Sequence, residues 1–226
     1  MKKSFAVAID GPSGAGKSTI ARKCAETFGF LYVDTGAIYR TVGLAARMRD
    51  IDPTNSEAVC AMLPSLDIEL FYADDGLQHM RLNGEDVTAA IRLPEISLYA
   101  SHVSAHPEVR AYLMEMQRSL SRTHNVIMDG RDIGTVVLPD AQLKIFLTAS
   151  SCARAERRLR ELRQKGQDVS FEEVLRDIEL RDKNDSERAA APLRAAEDAV
   201  VVDTTELNFA ESCEKIAALI KERWNP

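Results

Sequence analysis

The chain has 226 residues, 45 % hydrophobic and 28 % charged, which predicts one ordinary domain with inserted parts around a sizeable buried core. Its formal net charge is −6, and this argues against a nucleic acid polymer as partner, because duplex binders carry a basic excess. The opening MKKSFAVAIDG has too short an apolar run for a signal peptide, and no run approaches the ~20 residues of a membrane span, so a soluble, cytoplasmic protein with no membrane association is expected.

In chain order, short continuous apolar runs alternate with helical patterns. FAVAI (5–9), FLYV (30–33), NVIM (125–128), KIFL (144–147) and AVVV (199–202) read as buried strands, which suits a parallel sheet covered on both faces. A helix opens inside residues 11–18 and stops at Gly29, and another begins at Pro107, a favoured first helical position. Between them, residues 67–92 carry two turn signals, Asp75-Gly76 and Asn83-Gly84, flanked by short strands, and read as a small antiparallel insert. Residues 150–188 are rich in arginine, broken at Gly166, and read as a mobile helical arm over one edge of the sheet. SFEE (170–173) is a capping box and NFAE (208–211) a looser relative. The pattern predicts a doubly wound α/β core. Cys24, Cys60, Cys152 and Cys213 lie far apart without a C-x-x-C pair, so they read as reduced and mostly packed, and Trp224 reads as a packing residue.

GPSGAGKS (11–18) matches G-x-x-x-x-G-K-[ST] between a predicted strand and a predicted helix, the context that gives this motif its meaning. Glycines at 11, 14 and 16 let successive N–H groups turn inward toward phosphate oxygens, and the helix N-terminus adds partial positive charge. Gly11, Pro12, Ser13, Gly14, Ala15, Gly16, Lys17, Ser18 and Thr19 are therefore the candidate residues for binding a nucleoside triphosphate. Lys17 would reach the outer phosphates, and Ser18 would offer a hydroxyl to Mg²⁺ together with Asp129 at the end of NVIMDG. There is no N-K-x-D guanine-reading motif, which disfavours a GTPase.

Arginines supply a second theme. Arg40 and Arg131 follow predicted strand ends, where α/β sheets bind ligands; Arg110 lies on the helix from Pro107; Arg154, Arg181 and Arg188 lie in or at the end of the arm. A planar guanidinium suits bidentate phosphate recognition, although a single arginine is more often a solvated surface residue. The arm arginines are placed to close over the γ-phosphate as fingers from the same chain.

IDGPSGAGKST, DTGAIYR, DGRDIGTVV, PDAQLKIFL and RDKNDSERAAAPL together resemble the signature segments of bacterial cytidylate kinases, in order and across essentially the whole chain. One departure is Lys-Ser-Thr at the end of the P-loop, where many members have Lys-Gly-Thr; Ser18 restores the usual hydroxyl. The resemblance implies a P-loop NTPase three-layer fold with a five-stranded parallel core, and transfer of the ATP γ-phosphoryl group to CMP or dCMP by a monomer. It implies a core of residues 1–36, 93–153 and 189–226, a monophosphate-binding region of 37–92 with the β insert, and a lid of 154–188. By the same resemblance Lys17, Arg131, Arg154, Arg181 and Arg188 act in catalysis, and Thr35, Arg40, Ser101, Arg110, Arg131, Asp132, Arg181, Asp185 and Arg188 surround the pyrimidine nucleotide. Asp132 and Ser101 can accept from the cytosine amino group and Arg110 can donate to its ring acceptors, whereas uracil reverses both polarities. Asp185 is either a ribose hydroxyl acceptor or a local partner of Arg181 or Arg188. A P-loop kinase for another acceptor such as UMP, dTMP or shikimate, and a non-catalytic ATP-responsive regulator, are the alternatives.

Overall fold

The structure, a computed structural model, describes residues 4–74, 76–164 and 166–224. The two leading lysines, Lys2 and Lys3, and Asp75 of the Asp75-Gly76 turn, lie outside the described residues. The chain divides into two compact units: Met1–Tyr32 with Leu120–Pro226, and Val33–Ser119.

β1 (Ala6–Asp10) runs into the glycine-rich loop, α1 (Lys17–Phe28) ends at Gly29, and β2 (Leu31–Asp34) follows. Then come α2 (Thr35–Met48), α3 (Ser56–Met62), β3 (Ile68–Tyr72), β4 (Gln78–Leu82), β5 (Glu85–Asp86), α4 (Pro94–Val103) and α5 (Pro107–Thr123). The chain closes with β6 (Val126–Gly130), β7 (Leu143–Thr148), α6 (Ser151–Gln164), α7 (Phe171–Glu187), β8 (Val200–Asp203) and α8 (Phe209–Arg223).

The larger sheet has five strands in the order β2-β6-β1-β7-β8, with β1–β6, β1–β7 and β7–β8 parallel. β1 and β6 are buried along their whole length, as continuous apolar runs require. Val7, Ile9, Ile127 and Ile145 pack against Ile20 and Cys24 of α1 and Ile216 and Ile220 of α8. Trp224 closes this layer edge-on to Phe28 and Phe30, with ring centroids 5.8 and 5.0 Å away. β8 corrects one expectation: it lies at the edge of the sheet beside β7, so Val202 is buried while Val201 is 60 % exposed.

α6 and α7 share an apolar seam of their own, with Ala155, Leu159 and Leu162 against Val174 and Ile178, and Gly166 lies between the two helices. Ser170 and Glu173 form the expected capping box. Asn208 and Glu211 form a complete one rather than a looser relative, because the Asn Oδ1 takes the Glu211 N–H as a serine hydroxyl would while the Glu211 carboxylate takes the Asn208 N–H.

In the second unit β3-β4-β5 form an antiparallel sheet, and the Asn83-Gly84 turn joins β4 to β5. Ile38, Val42, Val59, Met80, Ile91, Ile96 and Leu113 make its core. Residues 93–119, expected with the sheet core, are part of this unit. Ile96, Val103, Val109 and Leu113 pack into its core, and α4 crosses α2 closely: a Cβ on Gly43 would stand 2.9 Å from the Ala100 nitrogen. Residues 154–188 belong to the first unit. All four cysteines are free: Cys24 is buried, Cys60 and Cys213 half-buried, and Cys152 exposed. Among the described residues no helix is long and apolar enough to cross a membrane.

Candidate active site

The loop after β1 is shaped by contacts that tolerate no side chain. A Cβ on Gly11, at φ 149°, would fall 1.9 Å from the Leu147 carbonyl oxygen. The loop therefore lies directly against β7 and delivers the chain into α1 at Gly16, where no side chain caps the helix and its first N–H groups stay available to an anion. Lys17 is buried, and its Nζ donates to the Pro12 carbonyl at 2.7 Å, across the loop. Burial, with Arg131 nearby, lowers its pKa to about 7; Asp129, Asp185 and Asp10 pull the other way.

Ser18 and Asp129 meet. The Ser18 hydroxyl donates to Asp129 Oδ2 at 2.9 Å, and the Tyr32 hydroxyl donates to Oδ1 at 2.9 Å. Asp129 is buried at the end of β6, so a serine hydroxyl and a fixed carboxylate face one point beside the loop. Those oxygen donors fit a hard divalent cation such as Mg²⁺. Among the described residues there is no cluster of three or more His, Cys, Asp and Glu able to hold a metal by itself.

Beyond Asp129 the charges form a chain. Arg131 Nε donates to Asp185 Oδ2 at 2.7 Å. Arg188 lies 3.8 Å from Asp185 Oδ1 and 3.5 Å from Asp132 Oδ1, and its Nε donates to the Ala191 carbonyl at 2.8 Å. Burial disfavours the Asp185 carboxylate, but Arg131, Arg188 and Arg181 outweigh it and hold its pKa below the usual range. Lys17, Ser18, Asp129, Arg131, Asp132, Arg181, Asp185 and Arg188 thus gather in one place in the first unit. Asp185 is paired chiefly with Arg131, a distant arginine that neither reading of Asp185 named, and Arg188 stands second. Thr19, by contrast, is exposed on α1.

Arg154 is buried with three contacts: Nε to the Ala149 carbonyl at 2.9 Å, one terminal nitrogen to the Ser13 carbonyl at 2.8 Å, the other to Asp182 Oδ2 at 2.6 Å. It ties the loop to α7.

In the second unit Thr35 is buried at the start of α2, and Arg40 pairs with Asp34 Oδ2 at 2.8 Å. Arg110 is buried on α5, donates to the Ser104 carbonyl at 3.2 Å, and lies 5.4 Å from the Tyr39 ring centroid. The Ser104 hydroxyl in turn donates to the Ser101 carbonyl at 2.8 Å, so Ser101, Ser104 and Arg110 form one cluster.

Sequence reasoning passed over Asp10, Tyr32, Asp34 and Gln78. Asp10 accepts from the Ile133 and Gly134 N–H groups, both at 2.7 Å, and burial raises its pKa to about 6 despite those bonds. An acid at the end of the first strand, and another opening DTGAIYR, were the available signals for Asp10 and Asp34. Tyr32 and Gln78 give none.

A parallel α/β sheet whose first strand feeds a phosphate loop, with a serine and a strand-end aspartate beside it, defines the P-loop kinase class. The sequence profile of the family described as cytidylate kinase matches residues 7–222, and the chain belongs to that family. It is 51 % identical over 217 residues to a cytidylate kinase of Caldicellulosiruptor bescii, covering 96 % of each chain. It is 46 % identical over 223 residues to one of Bacillus subtilis, covering 99 % of each. The fold is shared with the crystal structure of an uncharacterized protein from Eubacterium ventriosum, at TM-score 0.51 and 10 % identity, covering 97 % of this chain and 100 % of that one.

Proposed function

We propose that the protein transfers the γ-phosphoryl group of ATP to CMP or dCMP, giving ADP and CDP or dCDP. The observation that carries this is the arginine–carboxylate chain of Arg131, Asp185, Arg188 and Asp132 beside the phosphate loop. One triphosphate does not call for such a second set of donors, whereas a phosphoryl transfer has two charged phosphates to hold.

No strong base is needed, since the attacking atom is a phosphate oxygen that is already ionised, and catalysis is positioning plus charge stabilisation. The residues from Gly11 to Thr19, with Lys17 over the outer phosphates, hold ATP. Ser18 and Asp129 would hold Mg²⁺, which would supply positive charge to the phosphates. Arg131, Arg181 and Arg188 orient the acceptor phosphate and the transferred group, and Asp185 keeps Arg131 and Arg188 aligned until the nucleotide arrives. Arg154 acts in catalysis by fixing the loop carbonyl at Ser13. Thr35 and Arg40 are read as acceptor contacts, and Ser101, Arg110 and Asp132 as the cytosine-reading set. Residues 37–92 then serve the monophosphate and residues 154–188 close as a lid, excluding water from the γ-phosphate. The enzyme is expected to work as a monomer in the cytoplasm, where ATP is supplied.

The test is ³¹P NMR of the purified protein with Mg-ATP and CMP. Signals of CDP and ADP growing one for one are expected; ADP with free phosphate, or no change, would refute the proposal.

A further inference from the structure

Gln78 opens β4 in the antiparallel sheet, and its side chain is turned inward and buried. Its amide makes two hydrogen bonds to the main chain of Asp34, 44 residues earlier: the Asp34 N–H donates to Gln78 Oε1 at 2.7 Å, and Gln78 Nε2 donates to the Asp34 carbonyl at 3.1 Å. A side chain here supplies the paired donor and acceptor that a neighbouring strand would otherwise offer.

What Asp34 does gives this clamp its meaning. Asp34 caps α2 through Oδ1, which accepts the Ala37 N–H at 2.9 Å, and pairs with Arg40 through Oδ2 at 2.8 Å. Both carboxylate oxygens are thereby committed. The space around the pair is tight, since a Cβ on Gly36 would stand 3.0 Å from an Arg40 terminal nitrogen and 3.1 Å from Asp34 Oδ1. The Arg40 Nε is buried and meets no acceptor among the described residues. A half-buried guanidinium held from one side, with a buried N–H left over, is arranged to receive an anionic oxygen.

We propose that Gln78 is a positioning residue for the acceptor nucleotide: by fixing the Asp34 main chain it holds Asp34, and through Asp34 holds Arg40, in the orientation that receives the phosphate of the nucleoside monophosphate. The inference rests on the reading of Arg40 as an acceptor-phosphate contact. It assigns the β insert a direct task in acceptor recognition. An arginine side chain has many rotamers, and immobilising it before the ligand arrives removes an ordering cost from binding.

The test is steady-state kinetics of Gln78→Met, which keeps the length and removes both hydrogen bonds. The KM for CMP should rise about tenfold, the scale of losing one or two buried hydrogen bonds, with kcat at saturating CMP and the KM for ATP within about twofold of wild type. In an Arg40→Ala background the same change should add nothing to the KM for CMP, because the two residues act as one unit. The shorter Gln78→Asn, expected to shift the KM for CMP in the same direction, is run alongside so that one misfolded variant does not end the test. An unchanged KM for CMP, parallel rises in both KM values, or full additivity with Arg40→Ala would overturn the inference. Wild-type protein that turns over CMP while Arg40→Ala leaves its KM untouched would overturn it as well. Wild-type protein that does not use CMP would overturn the proposed function, and this inference with it.

Discussion

Arg131 and Asp185 are separated by 54 residues in the chain and joined by a 2.7 Å ion pair in the fold. The pair links the end of β6 to the last turn of α7, so the arm is fastened to the sheet by the same groups that the proposed reaction uses. Removing one partner of a mostly buried pair strands the other. Asp185→Ala is expected to lower stability by about 3 kcal/mol, and Arg131→Ala added to it should cost less than the sum of the two single changes. Urea denaturation of the four proteins measures this, and strict additivity would contradict it. Because the folded pKa of Asp185 is depressed, its contribution is present above the unfolded value, near 3.9, and is lost as pH falls through the lower folded value.

Lys17, Arg131 and Arg188 are expected to carry the chemistry electrostatically. Replacing each by alanine should lower kcat on the order of 10²–10³-fold, the scale of losing one preorganised donor. Wild-type turnover in all three would remove these residues from the reaction.

Asp10 has the opposite pH signature. Its pKa is raised to about 6 by burial, so the folded protein binds the proton more tightly than the unfolded chain does. Its contribution is complete below the unfolded value and is lost as pH rises through 6. A shift of this size corresponds to a few kcal/mol, at about 1.4 kcal/mol per pKa unit. Asp10→Asn should flatten the pH dependence of stability between about 4 and 6. The same slope in both proteins, from denaturation curves across that range, would contradict the assignment.

Metal removal separates binding from transfer. Chelation of Mg²⁺ with EDTA should stop ADP release while CMP binding, followed by calorimetry, persists. Ser18→Ala should raise the Mg²⁺ concentration needed for half-maximal turnover, because one of the two protein oxygens beside the loop is lost. Turnover in excess EDTA, or an unshifted Mg²⁺ requirement in the variant, would count against Ser18 as a metal-holding residue.

Much of the fold could be read from local chemistry. FAVAI, NVIM and KIFL announced β1, β6 and β7 because strands buried on both faces have no reason to alternate. AVVV announced a strand equally well but not its place at the sheet edge, which depends on what lies beside it rather than on its own residues. The phosphate loop was legible because its glycines, lysine and serine serve one local geometry. The association of α4 and the first part of α5 with the second unit was not, because it rests on packing between helices far apart in sequence, with Ile96, Val103 and Leu113 against Ile38 and Val42 and a close approach at Gly43. In the same way the arginines could be singled out as candidate phosphate ligands, and Asp185 as a neighbour of Arg188, but the partner of Arg131 could not be assigned. Arg131–Asp185 and Gln78–Asp34 are contacts between residues that no motif connects.

This chain is expected to phosphorylate cytidine monophosphates and to reject uridine ones. The most direct measurement is the rate of ADP release from Mg-ATP with CMP, dCMP, UMP, dTMP, AMP or GMP at matched concentrations. Fast turnover on CMP and dCMP with UMP far behind is the predicted result, since uracil reverses both polarities that Ser101, Arg110 and Asp132 would read. Equal or faster turnover on UMP or on a purine nucleotide would contradict it.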